Sequence, residues 1–238
     1  MWAYVDETGN TGNRIFDDNQ PYFMTAGMIT RSNFDAVHTD ALRVIALKVG
    51  GKALHAGELG VGRIELIAED LLKVVKRADA RFFLARLEKR YLAVSKVYDT
   101  YFDAGENLAV PWHVYWIRQL RLMMMFRLSM FVITEDIAQT VWECVTAPSE
   151  EKSKAAFVGG AKAMLANVNL LPDERSKAIV SDALQWAIDN PEKFTTHIRE
   201  RAWRNSHSPN FVAFTALMRG LDALHIALRR IDRCLLAC

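Results

Sequence analysis

The chain has 238 residues, 51% of them hydrophobic, which is enough for one large domain, or a domain with a substantial insertion, and too apolar for a disordered segment. Thirty Lys and Arg stand against 28 Asp and Glu, a formal charge of +2 that excludes binding of a polyanion through global charge and leaves only a local patch for nucleic acid. The cysteines, Cys144, Cys234 and Cys238, are odd in number and form no Cys-x-x-Cys pair, so they read as reduced, buried thiols in a cytoplasmic protein rather than a disulfide scaffold or metal ligands.

Trp2 to Val5 are β-branched or aromatic apart from Ala3 and predict a short opening strand, which runs through Asp6 and Glu7 into turn chemistry at Gly9, Asn10 and Gly12. Neighbours on a strand point to opposite faces, so one of the two carboxylates faces a site while the other faces away. Because an acid arrives at Asp6 before any apolar stretch forms, no secretory signal is visible. Tyr22 to Thr30, bounded by Pro21 and by Arg31-Ser32, predicts a second strand, a hairpin partner across a loop from Gly9 to Gln20. Ser32 with Asp35 three residues later resembles a capping box, and Phe34, Val37, Ala41, Val44 and Ile45 give the apolar face of a helix ending at Gly50-Gly51. A linker from Lys52 to Gly62 carries His55 and Glu58 between glycines. An amphipathic helix follows, with Ile64, Ile67, Leu71, Leu72 and Val75 at helical spacing, and then a third strand from Arg81 to Leu87.

From Asp103 onward the pattern is almost purely helical. Pro111 starts a long segment to Val145, Ser149 caps a helix beginning Glu150-Glu151, Asp173-Glu174 opens another and Ser208-Pro209 the last. Within it, Leu120 to Ile133 contains Arg121 and Arg127 and falls short of the roughly 20 apolar residues a membrane span needs, so it reads as a buried helix with no membrane partner. Met123-Met124-Met125 with Phe126, Met130 and Phe131 reads as core or helix-helix contact. The expected architecture is α/β: a small mixed sheet flanked by helices over residues 1–103, and over 104–238 a helical region that is an insertion in that domain or a cap on it. Gly57 to Gly62 and Gly159-Gly160-Ala161-Lys162 read as glycine-containing loops without the P-loop pattern, and no nucleophile elbow is present.

Three segments carry a resemblance: Tyr4-Val5-Asp6-Glu7-Thr8-Gly9-Asn10-Thr11-Gly12, then Tyr22 to Ile29, then Leu54-His55-Ala56-Gly57-Glu58-Leu59. Together they resemble the bacterial and phage family known as domain of unknown function 3800, whose members open with a Tyr-(Ile/Val)-Asp-Glu-(Ser/Thr)-Gly motif. Phe102-Asp103 to Trp112-His113 and Ser208-Pro209-Asn210 also follow that family's style. The resemblance implies a ribonuclease H-like fold and a metal-dependent nuclease. Members of the family carry near the C-terminus a further strand and an Ile-Gln-Leu-Ala-Asp-like helix start that supplies another acid, and no such segment is found up to Cys238. A truncated or divergent member, an incomplete site, and a site completed by Asp99, Asp103 or Asp232 are the alternatives this leaves open.

A hard cation, Mg2+ or Mn2+, requires oxygen ligands from separated parts of a chain. Asp6 and Glu58 suit that role as metal ligands, with Glu7 as a second ligand or orienting group. His55 would be a proton shuttle or phosphate contact. The plainer alternatives are an Asx-type turn at Asp6, a solvated loop acid at Glu58 and a hydrogen-bonded loop histidine. Lys89, beside Arg90 at the exit of the third strand, is a candidate phosphate contact. Arg199, Arg201 and Arg204, with Trp203, His207 and Asn210 nearby, form the best local patch for nucleic acid, and Arg229, Arg230 and Arg233 a second one. Two readings follow. In the first, a magnesium-dependent phosphodiesterase acts on nucleic acid, and its acids converge. In the second, a catalytically inactive interaction protein on the same fold exposes an apolar patch on its helices.

Overall fold

The computed structural model describes residues 1–9, 15–51, 53–196 and 207–236, the side chains of 224, 225 and 227–236 excepted. It is an α/β structure in which helix predominates over a small three-stranded antiparallel sheet. The chain forms two compact units. The first comprises Met1–Thr8, Met24–Ala85 and Phe214–Cys238, the second Gly9–Phe23 and Arg86–Ala213. The expected boundary at 103 therefore lies inside the second unit, and the chain passes from one unit to the other more than once.

In the first unit the strand order is β1 (Trp2–Thr8), β2 (Tyr22–Thr30), β3 (Arg81–Glu88), and β1 runs antiparallel to β2 in a register from Trp2↔Thr30 to Thr8↔Met24. The two faces of the sheet have different coverings. Tyr4 and its partner Met28 pack into a cluster with Phe34, Ile45, Leu59, Ile67 and Val74, contributed by α1 (Phe34–Lys48) and α2 (Ala56–Arg77). On the other face Ile29 and Ala85 meet Leu217 and Leu221 of the last helix, α9 (Pro209–Leu236). Gly27 permits that approach, since a Cβ there would lie 2.9 Å from Leu221 and 3.0 Å from Leu217. The cap of α1 is Asn33 and not Ser32. The Asn33 Oδ1 accepts the Ala36 N–H at 3.1 Å and the Tyr4 hydroxyl at 3.2 Å, while that hydroxyl accepts the Phe34 N–H at 2.8 Å, tying the strand to the helix start.

The second unit is built on α3 (Lys89–Phe102), whose Tyr98, Tyr101 and Phe102 are fully buried, so the helix belongs to the helical core and not to the sheet domain. The segment expected as one helix from Pro111 to Val145 is three: α4 (Trp112–Trp116), α5 (Arg118–Phe131) and α6 (Glu135–Thr146). Ile117 sits in extended backbone (φ −82°, ψ 109°), α5 ends at its C-cap Val132, and Thr134 caps the next helix by accepting the Ile137 N–H. Nor is α5 wholly buried: Met124, Met125 and Leu128 face the core, whereas Leu122, Met123, Phe126, Met130 and Phe131 are exposed.

Further along, α7 (Glu150–Asn167) and α8 (Glu174–Asp189) complete the core, capped by Ser149 and Asp173 as expected. Gly159 and Gly160 lie inside α7 and not in a loop. A Cβ at Gly160 would stand 2.7 Å from the Tyr101 hydroxyl and 2.9 Å from Val141, so the residue serves close packing. Several polar groups enclosed here are paired. Asn107 donates to the carbonyls of Tyr101 (2.7 Å) and Ala183 (2.9 Å) and accepts the Ala109 N–H, Tyr101 donates to the Phe157 carbonyl, and Tyr98 to that of Val114.

Candidate functional site

Asp6 lies two residues beyond Tyr4, so strand alternation places it on the α1–α2 face of the sheet, and Glu7, opposite Thr25, on the α9 face. Both side chains are exposed, and the Asp6 carboxylate accepts the N–H of its neighbour Glu7 at 2.9 Å, a local contact inside the strand and not the bond two residues on that an Asx-type turn makes. The segment Lys52 to Gly62, expected as a linker, is helical from Ala56. His55 is the N-cap of α2 without a side-chain cap bond, and Gly60 (φ 71°, ψ 165°) breaks the helix after its first turn. The Arg63 guanidinium spans that break by donating to the carbonyls of Glu58 and Leu59, both at 2.9 Å. A helical first turn brings His55 and Glu58 to one side of α2, both exposed, while Leu59 anchors the turn in the cluster that holds Tyr4. Asp6 and Glu58 thus belong to the same sheet-and-helix layer of the first unit.

Among the described residues no three His, Cys, Asp or Glu side chains group as a metal cluster. Two of the acids considered as replacements are engaged elsewhere. Asp99 pairs with Arg121, whose guanidinium also lies 4.8 Å from the Tyr115 ring centroid. Burial pushes the Asp99 carboxyl above its ordinary pKa, and Arg121 opposes the shift. Asp103 closes a turn, its Oδ1 accepting the Gly105 N–H at 2.8 Å. The Asp232 side chain lies outside the described residues, as do the side chains of Arg229, Arg230 and Arg233 and the whole of Arg199, Arg201, Trp203 and Arg204.

Asp6 and Glu58 nevertheless suit Mg2+ or Mn2+ in kind. A hard cation of this sort is commonly held by one or two carboxylates, with water and substrate phosphate oxygens completing its shell. Such an ion, when bound, polarises a phosphoryl oxygen and lowers the pKa of a bound water.

Lys89 is placed otherwise than a strand-exit phosphate contact would be. It begins α3, its N–H is held by the Pro21 carbonyl at 3.0 Å, and its side chain is fully buried, lining a cleft of about 270 Å3 in the second unit. Ile15 to Asp18 from the β1–β2 connection and Ile133 to Glu135 from the α5–α6 junction form the facing walls. No sequence pattern marked this cleft. The one clue was Lys89 itself, a lysine opening a helix at a strand exit. Elsewhere in the unit, burial pushes the Cys144 thiol up to about 11 beside the Ser153 hydroxyl, as expected of an unreactive core cysteine.

The fold and these sites define an α/β protein with a small antiparallel sheet, and among the described residues no helix is long and apolar enough to cross a membrane. No family model, no curated protein and no solved structure matches the chain.

Proposed function

We propose that the chain is a metal-dependent phosphodiesterase acting on nucleic acid, with a divergent ribonuclease H-like sheet and with Asp6 and Glu58 as the carboxylates that hold Mg2+ or Mn2+. The observation that carries the reading is the placement of these acids. Both are exposed, both stand on the α1–α2 layer of the sheet, and each has an anchor nearby in the chain, half-buried Tyr4 two residues before Asp6 and buried Leu59 next to Glu58. His55, on the same side of the helix start as Glu58, is placed to pass a proton to or from a substrate oxygen. Glu7, on the opposite face, is not placed to share a ligand role with Asp6. The test is calorimetric titration of Mn2+ and Mg2+ into the full chain, beside Asp6→Asn and Glu58→Gln, followed by cleavage assays on RNA, DNA and hybrid duplexes. Metal binding lost in both variants, with metal-dependent cleavage in the parent, is the expected result. A parent chain that binds neither metal overturns the reading.

One observation favours the second reading, an interaction protein without catalysis. Phe126 and Met130 are 63% and 61% exposed on α5, with Leu122 and Met123 one turn earlier, an apolar surface of the kind such a module presents. Phe126→Glu with Met130→Glu separates the two readings. It leaves metal binding and cleavage unchanged if Asp6 and Glu58 carry the function, and changes only the state of association, read by light scattering, if α5 is an interface.

A further inference from the structure

Lys89 is the feature of the second unit that the phosphodiesterase reading leaves unused. Its side chain is completely buried and its Nζ has no hydrogen-bond partner among the described residues, although it lines an open cleft. An amine removed from water without an acceptor is among the most unfavourable arrangements a fold can hold, and an acceptor arriving from outside the chain is one arrangement that relieves it.

The rest of the cleft describes the acceptor. Its walls are apolar, with Ile15, Val94, Ile133 and Ala138 all buried. Asp17, Asp18, Glu88 and Glu135 line it as well, each wholly or partly exposed, with Arg90 as the other base. Among the described residues, four carboxylates against two bases disfavour a multiply charged anion such as a phosphate ester. They favour a ligand with a single negative group for the buried lysine and a positive group for the acidic rim. A space of about 270 Å3 suits a metabolite rather than a polymer.

We propose that this cleft binds a small zwitterion with an apolar body, of the amino-acid class, its carboxylate accepting from Lys89 Nζ and its ammonium lying among the rim carboxylates. The site is separate in kind from Asp6 and Glu58 and does not rest on the phosphodiesterase reading. The experiment is calorimetric titration of the full chain with L-leucine, 4-methylpentanoate, isoamylamine and inorganic phosphate, repeated on Lys89→Met and on the double variant Glu88→Gln/Glu135→Gln.

Leucine is expected to bind best, 4-methylpentanoate more weakly and isoamylamine not at all. Lys89→Met is expected to weaken leucine by about tenfold or more, the effect of losing a charge-assisted hydrogen bond. The double rim variant is expected to weaken leucine several-fold while leaving 4-methylpentanoate unchanged or tighter. Asp6→Asn should not alter leucine binding, so the failure of either proposal is separable from the failure of the other. Leucine binding untouched by Lys89→Met, isoamylamine equal to leucine, phosphate tighter than leucine, or no binding by any probe would each overturn the proposal. Should Lys89→Met fail to fold, the rim variant decides alone, because its two side chains are exposed: selective loss of leucine supports the site, and unchanged leucine binding overturns it.

Discussion

The two units bury their residues in opposite ways. In the second, aromatic rings stack within a continuous helical core, Tyr98 on Phe102 at 5.1 Å and Tyr101 on Phe157 at 4.8 Å, and the buried Tyr98 and Tyr101 hydroxyls and Asn107 amide each reach a carbonyl. In the first, β1 is an edge strand whose residues are exposed apart from Tyr4, which is half-buried, and the helices on the two faces of the sheet rest on smaller clusters. The difference teaches where function has room. Among the described residues the densely packed unit holds two buried polar atoms without a hydrogen-bond partner, Lys89 Nζ and His207 Nδ1, whereas the thin unit leaves Asp6 and Glu58 in water, where a hard cation can reach them.

The strongest way to break this comparison is to cut into the second core. Phe157→Ala removes a fully buried ring stacked on Tyr101 and close to Phe194, and should cost about 3–5 kcal/mol in urea unfolding. Asn107→Ala leaves the Tyr101 and Ala183 carbonyls without their donor and should cost about 2–3 kcal/mol. A loss below about 1 kcal/mol for either would mean that this core is not packed as described.

A matched pair sharpens the contrast. Gly160→Ala in the second unit and Gly220→Ala in the first both force a Cβ into an occupied position, against the Tyr101 hydroxyl and Val141 in one case and the Phe83 ring in the other. Each should cost about 1–3 kcal/mol. Hydrogen exchange should report the Gly160 change around α3, α6 and α7, and the Gly220 change on the sheet strands beneath α9.

Smaller again is the pH effect at His207, which lies in the second unit. Burial, and next the nearby Lys96 charge, lower its pKa from 6.5 to about 4. The neutral form is thereby favoured in the folded state, and the unfolded chain binds the extra proton. Stability from this group is therefore complete above pH 6.5, falls as pH drops towards 4 and levels off below that, by about 2 kcal/mol after allowance for partial exposure. His207→Phe should flatten urea midpoints over that window, and an unchanged pH profile would contradict the placement. At the lower end, Lys48→Met removes an exposed ion pair with Asp70 and should leave the unfolding midpoint where it was.

Much of the fold was legible because its signals are local. The second strand was expected at Tyr22 to Thr30, where it is found, and the third begins at Arg81 as predicted, each having β-branched and aromatic runs between turn residues. The caps at Ser149 and Asp173 were legible for the same reason. The breaks at Ile117 and Val132 were not, because nothing local forbids helix there and the turns are set by how α4, α5 and α6 pack. The start of α2 was misread from Gly57 and Gly60. Gly57 is helical, and only Gly60 adopts positive φ. Among candidate site residues, Asp6 and Glu58 were legible from their motifs and stand exposed in one layer. The burial of Lys89 was not, since a lysine at a strand exit is usually solvated.

By itself the sequence determined the three strands, the helix starts at Pro111, Ser149, Asp173 and Ser208-Pro209, and the alternation that sends Asp6 and Glu7 to opposite faces. These depend on backbone preference and side-chain period over a few residues. Only the tertiary structure decided that α3 joins the helical unit, that α9 returns to the sheet, and that a lysine ends buried without a partner beside four acids. Each of those outcomes depends on apolar surfaces far apart in sequence finding one another, and the hydrophobic effect that drives them carries no directional information in any single segment.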